Sequence, residues 1–432
     1  MLNELPRYDR SLSYEDNYQQ APDPVELDVP PVPGPAEDGR WRFCGLPVDS
    51  PLGIPAGPLL NGRWCLYYAS LGFDVLTYKT VRSSARACYP LPNLQPVECG
   101  MLEGGERELP TAAEMHGSWA VSFGMPSREP DVWRADVERT RRLLPPGKLL
   151  SVSVVGSVQP GWSIEQLADD YARCAAWAID AGADVIETNF SCPNVATCDG
   201  QLFQQPDDAA LVAARVRERI GDTPLVVKIG HITERTEAAR LLRSLAPSVQ
   251  ALAMTNSIAA TVRDEHGLLF DGQPRGICGA ACREGSIRQT KLFAALIREL
   301  GLSIELIGVG GAETAEHVRE YLPAAGRPSR PHRHRRDAES AGRLEDSRNF
   351  CRAMLTRTKV SPVRIMHEVT WFVGVSALIQ CVVARTGTAD SEDLLRIICP
   401  LRHAEQALRG SERPLRGSGT ATAKLRMATA RH

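Results

Sequence analysis

The chain is expected to fold as an α/β protein of the (β/α)8 barrel type, and three observations point there. Short apolar segments of strand character alternate with amphipathic helical patterns, polar side chains gather where those strands end, and a glycine-rich turn follows the last of them. At 432 residues, 43% hydrophobic and 24% charged, the chain can build one large domain or two ordinary ones. Its formal net charge of -2 gives no global basic field, which argues against nucleic acid and anionic membrane as partners. The twelve cysteines form no Cys-x-x-Cys. The nearest pairs, Cys192 with Cys198 and Cys278 with Cys282, lack the spacing of an iron–sulfur or structural zinc site, so no metal is expected. Reduced thiols in a cytoplasmic protein are the expectation, and the first ten residues hold no apolar core for a signal or an anchor.

Residues 1–40 are rich in proline and acid, including Pro30-Pro31-Val32-Pro33-Gly34-Pro35, and are expected to form an irregular arm in extended conformation. From Trp41 to Gly326 the pattern is that of the barrel. Strand-like segments fall at 52–55, 75–79, 149–155, 185–189, 225–229, 251–255 and 305–308. Between them lie helical patterns, the alternation of a parallel sheet with covered faces. One helix is specified closely. Ser163 caps it, Gln166 completes a capping box, and Ile164, Leu167, Ala168, Tyr171, Ala175, Ala178 and Ile179 form the apolar stripe that ends at Gly182.

The strand ends converge. The second strand ends in Tyr78-Lys79-Thr80, the fourth in Asn189, the fifth in Lys228, the sixth in Thr255-Asn256-Ser257, and the seventh runs into Gly308-Val309-Gly310-Gly311. In parallel α/β architectures chemistry is done at that end of the sheet. A buried ammonium needs an anionic or electron-rich partner, so Lys79 and Lys228 read as site residues. Glycines between a strand and a helix let backbone N–H groups approach a phosphate, although a tight turn explains Gly308 to Gly311 equally well. The densest signal is Asn189-Phe190-Ser191-Cys192-Pro193-Asn194, which packs a thiol, a hydroxyl and two carboxamides into six residues after a strand. The bland alternative is a polar loop with a buried cysteine.

Taken together, this run, Lys79 in Tyr-Lys-Thr, Lys228 in Val-Lys-Ile, Asn256-Ser257 and Gly308-Val309-Gly310-Gly311 resemble the FMN-dependent dihydroorotate dehydrogenases over residues 52–326. The pyrimidine-reducing part of dihydropyrimidine dehydrogenase shares much of the pattern. The resemblance implies a TIM barrel with FMN across its C-terminal mouth, and an enzyme oxidising a dihydropyrimidine, most simply dihydroorotate to orotate in pyrimidine biosynthesis. It implies Cys192 as the base, as in soluble class 1 members. Lys228 would stabilise the negative charge of reduced FMN, and Lys79 would bridge cofactor and substrate. Asn189, Asn194, Asn256 and Ser257, with Gly124 and Met125 of the loop above, would contact the pyrimidine. Ala56, Gly57, Thr80, Asn189, Thr255, Gly276, Gly279, Gly310 and Gly311 would contact the cofactor. A homodimer is compatible with this reading. The electron acceptor stays open between fumarate, NAD through a partner subunit, and others. A contrasting reading is a non-catalytic barrel that never closes.

Two departures stand out. Where many members carry Asn-Ser-x-Gly-Leu-Pro-Asn, this chain has Val121-Ser122-Phe123-Gly124-Met125-Pro126-Ser127, so an alkyl group replaces the leading carboxamide. Asn93 is a candidate substitute, its alternative being a turn former. After a helix at 315–322, the place of an eighth strand is taken by 327–348, with seven arginines and two histidines. A basic insertion, a nucleic-acid patch and translation in the wrong frame compete for that segment. A one-base shift near Gly326 permits a string with the missing strand. The extension 349–432 has no assigned role, and its apolar run at 369–383 is shorter than the roughly 18 to 20 residues of a membrane span. That run is the one candidate for a replacement strand.

Overall fold

The computed structural model describes residues 6–22, 41–106, 108–115, 117–191, 201–324 and 380–382. Strands β1 (Leu52–Ile54), β2 (Val75–Val81), β3 (Leu149–Val154), β4 (Val185–Asn189), β5 (Leu225–Lys228), β6 (Ala251–Met254) and β7 (Glu305–Val309) are the seven expected from sequence. They pair in order, each parallel to the next. Both faces of the sheet are covered, which is why the strands read as apolar runs without alternation. Helix α4 (Ile164–Asp180) carries the expected capping box: the Gln166 N–H donates to Ser163 Oγ at 3.4 Å, and the Ser163 N–H to Gln166 Oε1 at 2.9 Å. The chain leaves it through Gly182 at φ 99°.

The eighth place in the ring is filled differently from expectation. Gln380–Val382, here β8, lies between β7 and β1 and runs antiparallel to both, with Ile307 opposite Val382 and Gly53 opposite Gln380. The two edges that the sequence left open are therefore paired, by a segment within the apolar run 369–383. Residues 327–348 lie outside the described residues.

Beyond the ring, a hairpin of Trp41–Phe43 and Leu46–Val48 plugs the N-terminal end. Trp41, Phe43 and Val48 pack there against Val75, Leu149, Val185, Val226 and Ala251. At the opposite end, the loops after β2 and β6 contribute Leu94–Pro96, Ser118–Val121, Ile258–Asp264 and Arg275–Gly279 to a largely antiparallel sheet that roofs the barrel. The arm also departs from the expected extended conformation. Tyr14–Gln19 forms a short helix, α1, with Ser13 Oγ accepting from the Asp16 N–H at 3.0 Å.

Strand β7 presses on helix α8 (Ala315–Ala324) with no room to spare. A Cβ built at Gly308 would stand 2.2 Å from Tyr321 Cδ1, and the Tyr321 hydroxyl donates to the Gly310 carbonyl at 2.6 Å. Gly308→Ala is expected to lower the unfolding free energy by about 1–3 kcal/mol through overpacking. Urea denaturation measures it, and an unchanged midpoint would show that α8 is free to shift.

Candidate active site

Helical crossovers place the C-terminal ends of β1 to β7 on one side, and there the structure brings most of the predicted residues together. A cavity of about 680 Å³ is lined by Ala56, Gly57, Lys79, Thr80, Gly124, Met125, Asn189, Lys228, Asn256, Ser257, Gly276, Gly279 and Gly310. That volume falls in the range of ligand sites, about 300–1,000 Å³. Two predicted residues stand behind its wall. Thr255 is fully buried, its hydroxyl donating to Gln289 Oε1 at 2.6 Å. Gly311 packs where a Cβ would meet Arg283 Cβ and the Gly279 carbonyl at 2.8 Å. Cys192 and Asn194 lie outside the described residues.

The polar side chains form a connected set across neighbouring strands. The β2–β3 register shifts between Tyr78 and Val81, an irregularity that sits at Lys79 and Thr80. Thr80 Oγ1 pairs with Ser153 Oγ at 3.0 Å, and Asn189 Nδ2 donates to Thr80 Oγ1 at 3.5 Å. Lys79, only 7% exposed, donates from Nζ to the Gly57 carbonyl at 3.0 Å. Lys228 is 5% exposed and lies opposite Asn189 in the parallel register. Asn189 Oδ1 accepts the Ser191 N–H at 3.2 Å, and Asn256 Nδ2 donates to the Ser191 carbonyl. The backbone is thus tied at both sides of Ser191, the residue immediately before Cys192.

Glu187 was not foreseen. It lies two residues before Asn189 on β4, so the period of a strand turns it to the same face one layer down. Burial raises its pKa, and the Lys228 ammonium and a hydrogen bond from Ser153 pull it back down. Tyr8 and Arg10 of the arm and Trp119 of the roof line the cavity without a sequence signal, and Val121 and Phe123, from the loop that departs from the expected motif, line it too. Asn93 is turned elsewhere. It is buried, and its amide donates to the carbonyls of Tyr89 at 2.9 Å and Ser122 at 3.0 Å, so it braces the loop and does not replace the missing carboxamide.

At the glycine-rich wall, Gly279 (φ 95°) and Gly310 (φ 118°) take conformations that L side chains rarely adopt. Gly279 directly precedes the turn Ala280–Cys282 into helix α7 (Arg283–Glu299). Backbone donors beside a helix start, with two cations across the cavity, fit an anionic group. Among the described residues no cluster of His, Cys, Asp and Glu could hold a metal ion, and no helix is long and apolar enough to cross a membrane.

A polar cavity at the C-terminal mouth of an α/β barrel is where enzymes of this architecture bind their ligands, and comparison with known proteins makes the assignment specific. A sequence model described as dihydroorotate dehydrogenase matches residues 40–326, so the chain belongs to the dihydroorotate dehydrogenase family. It is 28% identical over 344 residues to the dihydroorotate dehydrogenase of Dictyostelium discoideum, covering 73% of this chain and 90% of that one. It is 24% identical over 338 residues to the quinone enzyme of Chromobacterium violaceum (74% and 87% covered). With the NAD(+) enzyme's catalytic subunit of Desulforudis audaxviator the identity is 26% over 292 residues (66% and 82% covered). The solved Eimeria tenella dihydroorotate dehydrogenase in complex with ferulenol shares the fold, with a TM-score of 0.52 at 16% identity, over 68% of this chain and 79% of that one.

The raised pKa of Glu187 carries a sign. A carboxyl that binds its proton more tightly folded than unfolded adds stability that is full below its ordinary pKa of 4.5 and lost as pH rises through the raised value. Glu187→Gln removes this titration. The stability of the unaltered protein relative to that variant is expected to grow as pH falls from 8 toward 5, measured by urea unfolding at each pH. A constant difference would mean that Glu187 titrates normally.

Proposed function

We propose that this protein is an FMN-dependent dihydroorotate dehydrogenase, oxidising (S)-dihydroorotate to orotate in pyrimidine biosynthesis with Cys192 as the base. The observation that carries this reading is the convergence of Lys79, Lys228, Asn189, Asn256 and Ser257 on one cavity at the C-terminal mouth of a barrel of this family. The donor set fits the cofactor. Gly276, Gly279 and Gly310 offer close backbone approach to a phosphate, Ala56 and Gly57 offer a flat backbone surface, and Lys228 and Lys79 offer positive charge beside an electron-rich ring. FMN, when bound there, would supply the acceptor for the hydride on C6 of the substrate.

The chain's own residues do the rest. Cys192, as thiolate, takes the C5 proton, and the C5–H electron pair becomes the C5–C6 double bond of orotate. Asn189, Asn194, Asn256 and Ser257 hold the amide edges of the pyrimidine, whose uncharged ring offers both donors and acceptors. The two backbone bonds at Ser191 bear on the start of the Cys192 loop, since that peptide is fixed before the thiol-bearing residue begins.

The same reading takes the enzyme as cytoplasmic, and a homodimer is compatible with it. A dihydropyrimidine dehydrogenase-like flavoprotein is the second reading, and Val121 favours it. An alkyl side chain at that wall leaves a substrate polar group unpaired, at about 1–3 kcal/mol. A frame error near the Gly326 codon is the rival to ring closure by Gln380–Val382, and resequencing the gene decides between them.

Three outcomes are expected. Dihydroorotate should bleach the flavin absorbance of the purified protein anaerobically, in preference to dihydrouracil; the reverse preference would support the second reading. Cys192→Ala should slow that single-turnover step by at least roughly two orders of magnitude, and an unchanged rate would remove Cys192 as base. In titrations of apoprotein with FMN, Lys228→Ala should bind more weakly, and affinity equal to that of the unaltered protein would take Lys228 out of the cofactor site.

A further inference from the structure

We infer that the N-terminal arm builds an aromatic cage that positions Lys79, with Tyr14 and Phe123 as its walls and Tyr8 bracing Phe123 from the side. The Lys79 ammonium lies 4.1 Å from the centroid of the Phe123 ring and 5.5 Å from that of Tyr14. Both distances fall within the reach of a cation–π contact, in which the ring's negative face attracts the charge. Tyr8 and Tyr14 each meet Phe123 edge to face, with centroids 5.5 and 5.6 Å apart. Two rings from the arm thus set the plane of a third ring from the roof, and that third ring sits over the lysine.

The arm is held firmly enough to do this. Glu15 pairs with Arg128, whose guanidinium stacks 4.3 Å from the Tyr18 ring centroid. Asn61 Nδ2 donates to the Tyr18 carbonyl at 2.8 Å, Arg63 to that of Gln19 at 3.1 Å, and Arg10 to that of Ala113 at 2.8 Å. These bonds tie the arm to both the barrel and the roof.

Lys79 needs such a device because of where it stands. A second cavity, of about 720 Å³, opens between α1 and the loop 85–91, and it reaches Lys79 and Thr80 from the arm side. The lysine is therefore part of a thin wall between two spaces, and its four-carbon stem is flexible. The Gly57 carbonyl and the two ring faces each hold the ammonium from a different side, and none of the three brings a negative charge. For catalysis the inference rests on the function proposed above, in which Lys79 bridges cofactor and substrate. Tyr14 acts on the reaction through Lys79 and is a positioning residue, and Phe123 positions Lys79 in addition to lining the cavity.

Two measurements on the full chain test the cage, one of them independent of the activity. The first is the rate at which N-hydroxysuccinimidyl acetate acetylates Lys79, followed by mass spectrometry with the exposed Lys291 on α7 as internal reference. Tyr14→Leu and Phe123→Leu keep apolar bulk but lose the ring face. Each should release Lys79 to react roughly tenfold faster, whereas Tyr14→Phe, which keeps the face, should stay within about threefold of the unaltered protein. Equal Lys79 reactivity in the leucine variants and the unaltered protein would overturn the cage, whatever the enzyme does. The second is the rate of flavin bleaching by dihydroorotate. Either leucine substitution should lower it roughly tenfold, and should lower it no further in a Lys79→Ala background, because the rings then have nothing to hold. Losses that simply add would reduce the rings to packing. A protein that dihydroorotate does not bleach at all would remove the proposed function and leave the acetylation rates to judge the cage.

Discussion

Holding an ammonium group inside a protein without its water is the constraint around which this mouth is arranged. An unpartnered buried charge costs far more than a domain can spare, so each lysine at the strand ends brings its own compensation. For Lys228 it is the Glu187 carboxyl, one layer deeper and on the neighbouring strand. For Lys79 it is a carbonyl and aromatic faces. The two solutions differ in consequence. Burial favours the protonated form of Glu187 while the Lys228 ammonium pulls it back, whereas the carbonyl and the ring faces at Lys79 are neutral contacts. The hydroxyls of Ser153 and Thr80 link the two regions through a chain of short contacts.

The ring of strands does not make this site alone. It supplies Lys79, Asn189 and Lys228 at fixed heights, set by parallel registers. The roof brings Val121, Phe123, Gly276 and Gly279 over them. The pairing of Gly276 with Val121 and of Gly279 with Ser118 couples the loop after β2 to the loop after β6, so the Val121 side and the Gly279 side of the cavity share one small sheet. That sheet has its own apolar core, with Val97, Leu109, Ala120, Ile258, Val262 and Ile277. It can therefore hold its shape over an open space.

Much of this was legible in the sequence. The seven strands were visible because burial on both faces demands unbroken apolar runs, and the strand-end residues because polar groups cluster where such runs stop. Helix α4 could be bounded closely because its cap is chemically explicit. Other features left weaker traces. Ile258, Ala260 and Val262 alternate with exposed or half-exposed neighbours, the period of a one-sided strand, yet this seven-residue stretch follows a buried strand without a turn signal to separate them. Glu187 could have been placed by parity with Asn189. The arm's role could not. Phe123 is far along the chain from Tyr8 and Tyr14, and nothing in the composition of a proline-rich arm says that its tyrosines turn inward. The antiparallel sense of β8 was equally hidden, because strand direction is a property of pairing and three residues carry no directional pattern.

That antiparallel strand changes how the molecule must be made. In a ring of successive strand–helix units each new strand docks on the one just completed. Here the gap between β7 and β1 waits for Gln380–Val382, which follows α8 only after a long intervening stretch. Loop-closure entropy rises slowly with length, so the distance itself is tolerable. The order of events is what differs. While the chain is being synthesised from its N-terminus, seven strands can assemble as an open, curled sheet with two bare edges, and the contact that closes it joins Gln380–Val382 to β1 and β7. Closure of the ring thus works as a late checkpoint: a chain cut off before Gln380 would keep every residue described around the cavity, yet lack the clasp that holds β1 beside β7.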